Sequence, residues 1–219
     1  MHRDGVFFAK NYRNSCSIKR LYQMIKEALE YLAKEFNREL NNNANDSMFV
    51  LDNVARLDLA DSITAGNESK VLLTLVNIEE EKTLKNDPFY IRRNDPQNGE
   101  QIEKRNPTLH VNLYVLISCA DNYPNALSWI DKVIEYLQGK YVFTADTANP
   151  LDAYPPKVEK IIMDLFSLNF EQINHLWGIL GGKYVPSVLY KVRLLPIQYN
   201  RTQPVGRVEE INAASNVNN

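Results

Sequence analysis

Two strand-like runs bracket a long charged stretch, and this constrains the architecture more than any other feature of the chain. Residues 71–78, Val-Leu-Leu-Thr-Leu-Val-Asn-Ile, are apolar almost without interruption, as expected of a central strand buried on both faces. In residues 108–118, Leu109, Val111, Leu113, Val115 and Ile117 alternate with Thr108, His110, Asn112, Tyr114 and Leu116. That is the period of a strand with one apolar and one mixed face. Between the two runs, residues 79–107 are polar and charged, punctuated by Pro88, Pro96, Gly99 and Pro107. Compact domains rarely carry a structureless loop of such length, so a projecting excursion is expected, with a β-hairpin turning near Asp95 to Gly99.

The remaining elements alternate helix and strand. Ile25, Ala28, Leu29, Leu32, Phe36 and Leu40 mark one face of a helix from Met24, stopped by Asn41-Asn42-Asn43. Met48 to Leu51 suggests a short strand. Pro124 opens a second helix whose buried stripe is read as Ala126, Leu127, Ile130, Val133, Ile134 and Leu137, with Gly139 as its stop. Residues 141–143 suggest an edge strand. Residues 157–168 fit both periods and are read as a strand, because Ile161, Ile162 and Met163 are apolar on both faces. Asn169 and Gln172 have capping-box spacing ahead of a third helix with Ile173, Leu176, Trp177 and Leu180 inside. Gly181-Gly182 ends it, and a strand over 187–195 closes the order. The expected class is α+β, a mixed or antiparallel sheet covered by helices on one face. The expected division is a basic N-terminal arm at 1–23, a domain at 24–197 containing the 79–107 excursion, and a flexible tail at 198–219.

Function classes are narrowed by what the residues cannot assemble. The three histidines, His2, His110 and His175, have no metal-binding spacing, and Cys16 and Cys119 form no paired motif. Gly181-Gly182-Lys183 follows a helix and precedes Tyr184, which is not the context of a phosphate loop. No catalytic, cofactor-binding or metal residue is therefore assigned, although a small hydrolase using His110 or His175 remains the enzymatic alternative. Lys plus Arg number 25 and Asp plus Glu 27, a balance unlike that of a nucleic-acid binder. No apolar run approaches the ~20 residues of a membrane span, and a soluble protein folded in a reducing cytoplasm is expected.

The candidates that remain are partner contacts. Glu79, Glu80 and Glu81 leave a strand together, while Arg92, Arg93, Lys104 and Arg105 supply basic pairs in the same excursion. A segment carrying both signs can pair with its own copy around a ring, because a heterologous interface repeats head to tail. Arg201, Val205, Arg207 and Val208 mark a tail able to add to a neighbour as an extended strand.

Four blocks resemble one family: residues 24–32, Met-Ile-Lys-Glu-Ala-Leu-Glu-Tyr-Leu; residues 71–81; residues 107–116, beginning Pro-Thr-Leu-His; and residues 170–195, with Leu176-Trp177-Gly178 and Pro186-Ser187-Val188. Together they are similar to the conserved N-terminal domain of the cap, or tail-terminator, proteins of phage-tail-like contractile injection systems. The resemblance covers roughly residues 24–197. It implies a tail-terminator-like fold and a structural subunit whose hexameric ring ends the inner tube and contacts the last sheath layer. The implied partners are further copies, the inner tube protein and the sheath protein. Assembly would occur in the bacterial cytoplasm, and the subunit would end at the tip of the particle. An adaptor or baseplate component of the same machine is the alternative.

Overall fold

A computed structural model describes residues 24–41, 47–56, 69–84, 90–95, 99–104, 106–197 and 203–205. The chain divides into two compact units. The larger draws on Met1–Ile78 and Asn112–Leu195, and the smaller on Glu79–Val111 and Pro196–Asn219. The expected N-terminal arm lies outside the described residues.

The larger unit is built on a six-stranded sheet. Its strands are β1 (Phe49–Leu51), β2 (Val71–Glu80), β5 (Leu109–Cys119), β6 (Val142–Thr144), β7 (Lys160–Leu165) and β8 (Ser187–Ile197). Their spatial order is β1-β2-β5-β8-β7-β6. β1 runs parallel to β2, whereas β7 is antiparallel to both β6 and β8, so the sheet is mixed. The ambiguous run at 157–168 is a strand, paired from Ile162 to Leu165 with Arg193 to Tyr190. Thr74 is buried and pins the chain leaving β1: its Oγ1 accepts from the Val54 N–H at 3.0 Å and donates to the Asp52 carbonyl at 2.7 Å.

Among the described residues three α-helices accompany the sheet: α1 (Met24–Leu40), α2 (Tyr123–Gly139) and α3 (Phe170–Ile179). The expectation that they all cover one face is corrected. Phe49 of β1 sits opposite Val71 and meets Phe36 of α1 and Trp129 of α2, with ring centroids 5.6 and 5.8 Å apart. Those helices therefore cover the Val71 face. Leu72, one residue on and so on the other face, packs in a cluster with Leu116, Leu189 and Trp177 of α3. The reason lies in β2 and β5, whose buried residues run consecutively over Val71–Thr74 and Val115–Cys119. A sheet centre apolar on both sides needs cover on both sides.

The ends of α2 and α3 follow their sequence signals. The Asn122 side chain accepts from the Asn125 N–H at 3.1 Å, with Pro124 in the first turn. Asn169 and Gln172 cap each other's backbone N–H at 2.8 and 3.0 Å. Gly181 and Gly182 take φ values of 102° and 78°, a region glycine enters without steric cost.

In the smaller unit β3 (Tyr90–Asp95) and β4 (Gly99–Lys104) pair antiparallel, with Asp95 opposite Gly99. This is the hairpin expected from the proline and glycine punctuation. β4 also pairs antiparallel with β9 (Gln203–Val205). The tail expected to be flexible is thus a strand of this sheet at those three residues, and its other positions from 198 onward lie outside the described residues.

Candidate assembly surfaces

The most concentrated polar site is a structural clamp on α1. Glu35 is fully buried. One carboxylate oxygen accepts from the Tyr136 hydroxyl at 2.9 Å and from Lys140 Nζ at 2.5 Å, and the other pairs with Arg38. Arg38 in turn pairs with Glu39 at 3.0 Å and with Asp152. Burial pushes the Glu35 carboxyl up, but the hydrogen bonds from Lys140, Tyr136 and Arg38 outweigh it and leave the pKa below its usual value. Burial, then the Glu35 charge, pushes the Tyr31 phenol up to about 12 and the Tyr136 phenol higher still. With its partners all drawn from the fold, the carboxylate holds α1 to the end of α2 and to the segment carrying Asp152. The sequence signal that marks it is position: Glu35 stands three residues after Leu32 and seven after Ala28, inside the apolar face of α1.

Among the described residues the groups weighed for chemistry do not converge, and His2 and Cys16 lie outside those residues. His110 lies on β5 half-buried, and His175 is exposed on α3. Cys119 is buried, and that burial raises its thiol pKa. Among the described residues no group of His, Cys, Asp or Glu side chains could hold a metal ion, and no helix is long and apolar enough to cross a membrane.

The residues read as partner contacts separate as follows. Glu79 and Glu80 end β2, exposed and half-buried respectively. Glu81 follows, its backbone N–H bonded to the His110 carbonyl at 2.8 Å and its carboxylate accepting from the Thr83 hydroxyl at 2.6 Å. Arg92 and Arg93 occupy β3 opposite Ile102 and Gln101, and Lys104 occupies β4 opposite Tyr90 and Gln203. Val205 is opposite Ile102 in β9. The hairpin therefore places three of the basic positions in one small sheet. Arg105, Arg201, Arg207 and Val208 lie outside the described residues.

Sequence reasoning missed the apolar surfaces. Leu127 and Ile134 of α2, read as core, are 45 and 39% exposed, and Tyr123 on the same stripe is 64% exposed. Around α3 a groove of about 270 Å³ opens over Leu116, Trp177 and Leu189, with Leu165 and Tyr184 at its margin. Only Trp177 of this helix is buried; Phe170 and Ile179 are 91 and 82% exposed.

Known proteins share this fold. The structure is similar to the sheath/tube terminator of an extracellular contractile injection system, PVC, in its extended state. The TM-score is 0.54 at 16% identity, covering 89% of this chain and 65% of that one. It is also similar to the tube-terminating cap of the anti-feeding prophage, with TM-score 0.50 at 15% identity, covering 94% of this chain and 63% of that one. The chain thus spans slightly less than two thirds of either protein. No curated protein matches it. The family described as the Pvc16 N-terminal domain matches residues 27–210, which extends past the 197 boundary read from the sequence to include β9. The chain belongs to the Pvc16 N-terminal domain family.

Proposed function

We propose that this chain is a structural terminator subunit of a contractile injection system, closing the end of the tube and sheath as a ring of copies. The observation that carries the reading is the family match over residues 27–210, supported by a fold shared with two proteins named as terminator and cap. A non-enzymatic role accords with a buried carboxylate whose partners all belong to the fold. In this reading the partners are further copies, the inner tube protein and the sheath protein. The subunit is made in the cytoplasm and resides at the particle's end. The domain at 24–197 forms the body, and the 1–23 arm and the tail from 198 are peripheral attachments.

The charged excursion serves register between neighbours. Glu79, Glu80 and Glu81 face Arg92, Arg93, Lys104 and Arg105 of the next copy, while Arg201, Val205, Arg207 and Val208 guide the tail onto a sheath subunit. Rim pairs of this kind contribute about 0–1 kcal/mol each and act mainly on specificity. Electron microscopy of particles carrying a tagged chain tests the assignment. Label at the tube's terminal end is the expected result. Label at the baseplate, or none on the particle, overturns it.

A further inference from the structure

The edge of a sheet presents backbone N–H and C=O groups that template pairing with another chain. The six-stranded sheet ends in β1 on one side and in β6 on the other, each three residues long. At both ends the chain's own groups take up outward backbone positions. At β1 the Val71 N–H donates to the Met48 carbonyl at 2.9 Å, and the Asp52 N–H donates to the Leu73 carbonyl at 3.3 Å. Met48 and Asp52 thus address β2, and by alternation the backbone groups of Phe49 and Leu51 point away from it. The Asn37 side chain of α1 takes both Phe49 groups, accepting from the N–H at 2.8 Å and donating to the carbonyl at 2.6 Å. A primary amide offers the same donor and acceptor as a peptide unit of an added strand. At β6 the Met163 N–H donates to the Tyr141 carbonyl at 2.9 Å. With Val142 opposite Ile162, the Val142 and Thr144 groups then point outward. The Thr144 N–H donates to the Thr147 hydroxyl at 3.0 Å, and its carbonyl accepts from the Thr147 and Ala148 N–H groups at 3.2 and 3.0 Å.

We propose that the last turn of α1 guards the sheet edge, with the Asn37 amide standing in for an absent strand and keeping β1 closed to strands of other chains. The amide is fixed for that task. Its nitrogen also donates to the Ala33 carbonyl at 2.9 Å, so both amide hydrogens and the oxygen are engaged. The same turn carries Glu35 and Arg38, whose contacts with Lys140 and Asp152 hold it in place beside the strand. The two edges are closed by unrelated means, a helix side chain at β1 and a threonine turn at β6. A partner's extended segment therefore finds no ladder to continue at Phe49 or Thr144, and the six-stranded sheet meets partners through its side chains. The inference is independent of the terminator reading, since it concerns this edge in any assembly.

The full chain carrying Asn37→Ala, Asn37→Ala with Leu51→Pro, or Met163→Ala tests this against wild type, each at the temperature that leaves the same fraction folded. In Asn37→Ala the Phe49 amide should exchange with solvent about 2–13-fold faster, the factor of one net hydrogen bond. That variant should also form assemblies that bind thioflavin T, which the wild type should not. Leu51→Pro removes an outward N–H without breaking a bond to β2, so the double variant should lose the assemblies and keep the faster exchange. Met163→Ala opens a cavity in β7, remote from β1 in the strand order, and should form none. Three results overturn the proposal: an Asn37→Ala chain without thioflavin-binding assemblies, assemblies that survive Leu51→Pro, or equal assembly by Met163→Ala. If Asn37→Ala does not fold, Asn37→Asp keeps the acceptor for the Phe49 N–H, loses the donor to its carbonyl, and carries the same expectations.

Discussion

Replacing Glu35 by Gln keeps the volume of the side chain and removes the charge that Lys140, Arg38 and Tyr136 address. Removing one partner of a buried ion pair costs about 3–5 kcal/mol when the remaining charge stays buried and uncompensated. Here the cations have an escape: the Lys140 and Arg38 side chains are 32 and 27% exposed, so water recovers part of their solvation. The Gln amide oxygen also keeps weaker, neutral versions of the hydrogen bonds, where charged ones contribute about 1.5–3 kcal/mol each. The balance is a loss of about 2–4 kcal/mol. For a chain of this length that is roughly 4–16 °C in melting temperature, at about 2–4 °C per kcal/mol.

The pH dependence identifies the cause. Glu35 has its pKa lowered from the ordinary 4.5 in the folded chain, so the unfolded chain binds that proton more readily. The stabilisation is fully present above pH 4.5 and is lost as pH falls below it through the folded pKa. The glutamine of the Glu35→Gln variant has nothing to titrate. Urea unfolding followed by tryptophan fluorescence, at fixed protein concentration because assembly itself stabilises, should show a lower midpoint for Glu35→Gln at about pH 7 with an unchanged slope. The gap to wild type should narrow as the pH is taken from about 5 downward. A variant as stable as wild type at neutral pH, or a deficit that persists unchanged in acid, refutes the clamp.

Two further substitutions test the packing. The Asn37 side chain accepts from the Phe49 N–H at 2.8 Å and donates to the Phe49 carbonyl at 2.6 Å, tying α1 to edge strand β1. Asn37→Ala leaves both backbone groups unpaired beside a buried ring and should cost about 1–3 kcal/mol in denaturant unfolding; a change below half of that would show that water replaces the amide. Trp177→Ala removes the one buried side chain of α3 and should cost about 3–5 kcal/mol. A loss below about 1 kcal/mol in denaturant unfolding would show that the packing under α3 collapses around the missing ring.

The sheet's central strands are legible because their signal is local. β2 announces itself by unbroken apolar character, β5 by alternation, and α3 by a capping box that forms as its spacing requires. Even the hairpin is readable, since Pro96 and Gly99 leave few ways to turn between Asp95 and Gly99. What local pattern does not hold is partnership over distance. The last long strand, β8, lies between β5 and β7, and no window of the chain encodes that insertion. The alternation in β5 predicts a mixed second face, yet Asn112 and Leu116 on it are buried. Glu35 makes the same point in side chains. Its Arg38 partner is one helical turn away, but Tyr136 and Lys140 are 101 and 105 residues distant. Its place inside the apolar face of α1 marks it as anomalous, but what satisfies it is visible only once those residues are brought to it.

The misreading of Leu127 and Ile134 has a different origin, and it bears directly on function. Helical periodicity reports the width of an apolar stripe, not the object that covers it. On α2 the stripe is wider than the chain's own core: Ala126, Ile130, Val133 and Leu137 are buried within the protomer, while Tyr123, Leu127 and Ile134 continue the same stripe into solvent. A helix that met only its own sheet would gain nothing from large apolar groups on that flank, and their exposure favours association with any apolar surface available. The sequence rule that places these residues inside a core is therefore sound about their chemistry and silent about whose core they complete. Their exposure leaves that flank of α2 without cover from the described residues of the protomer itself.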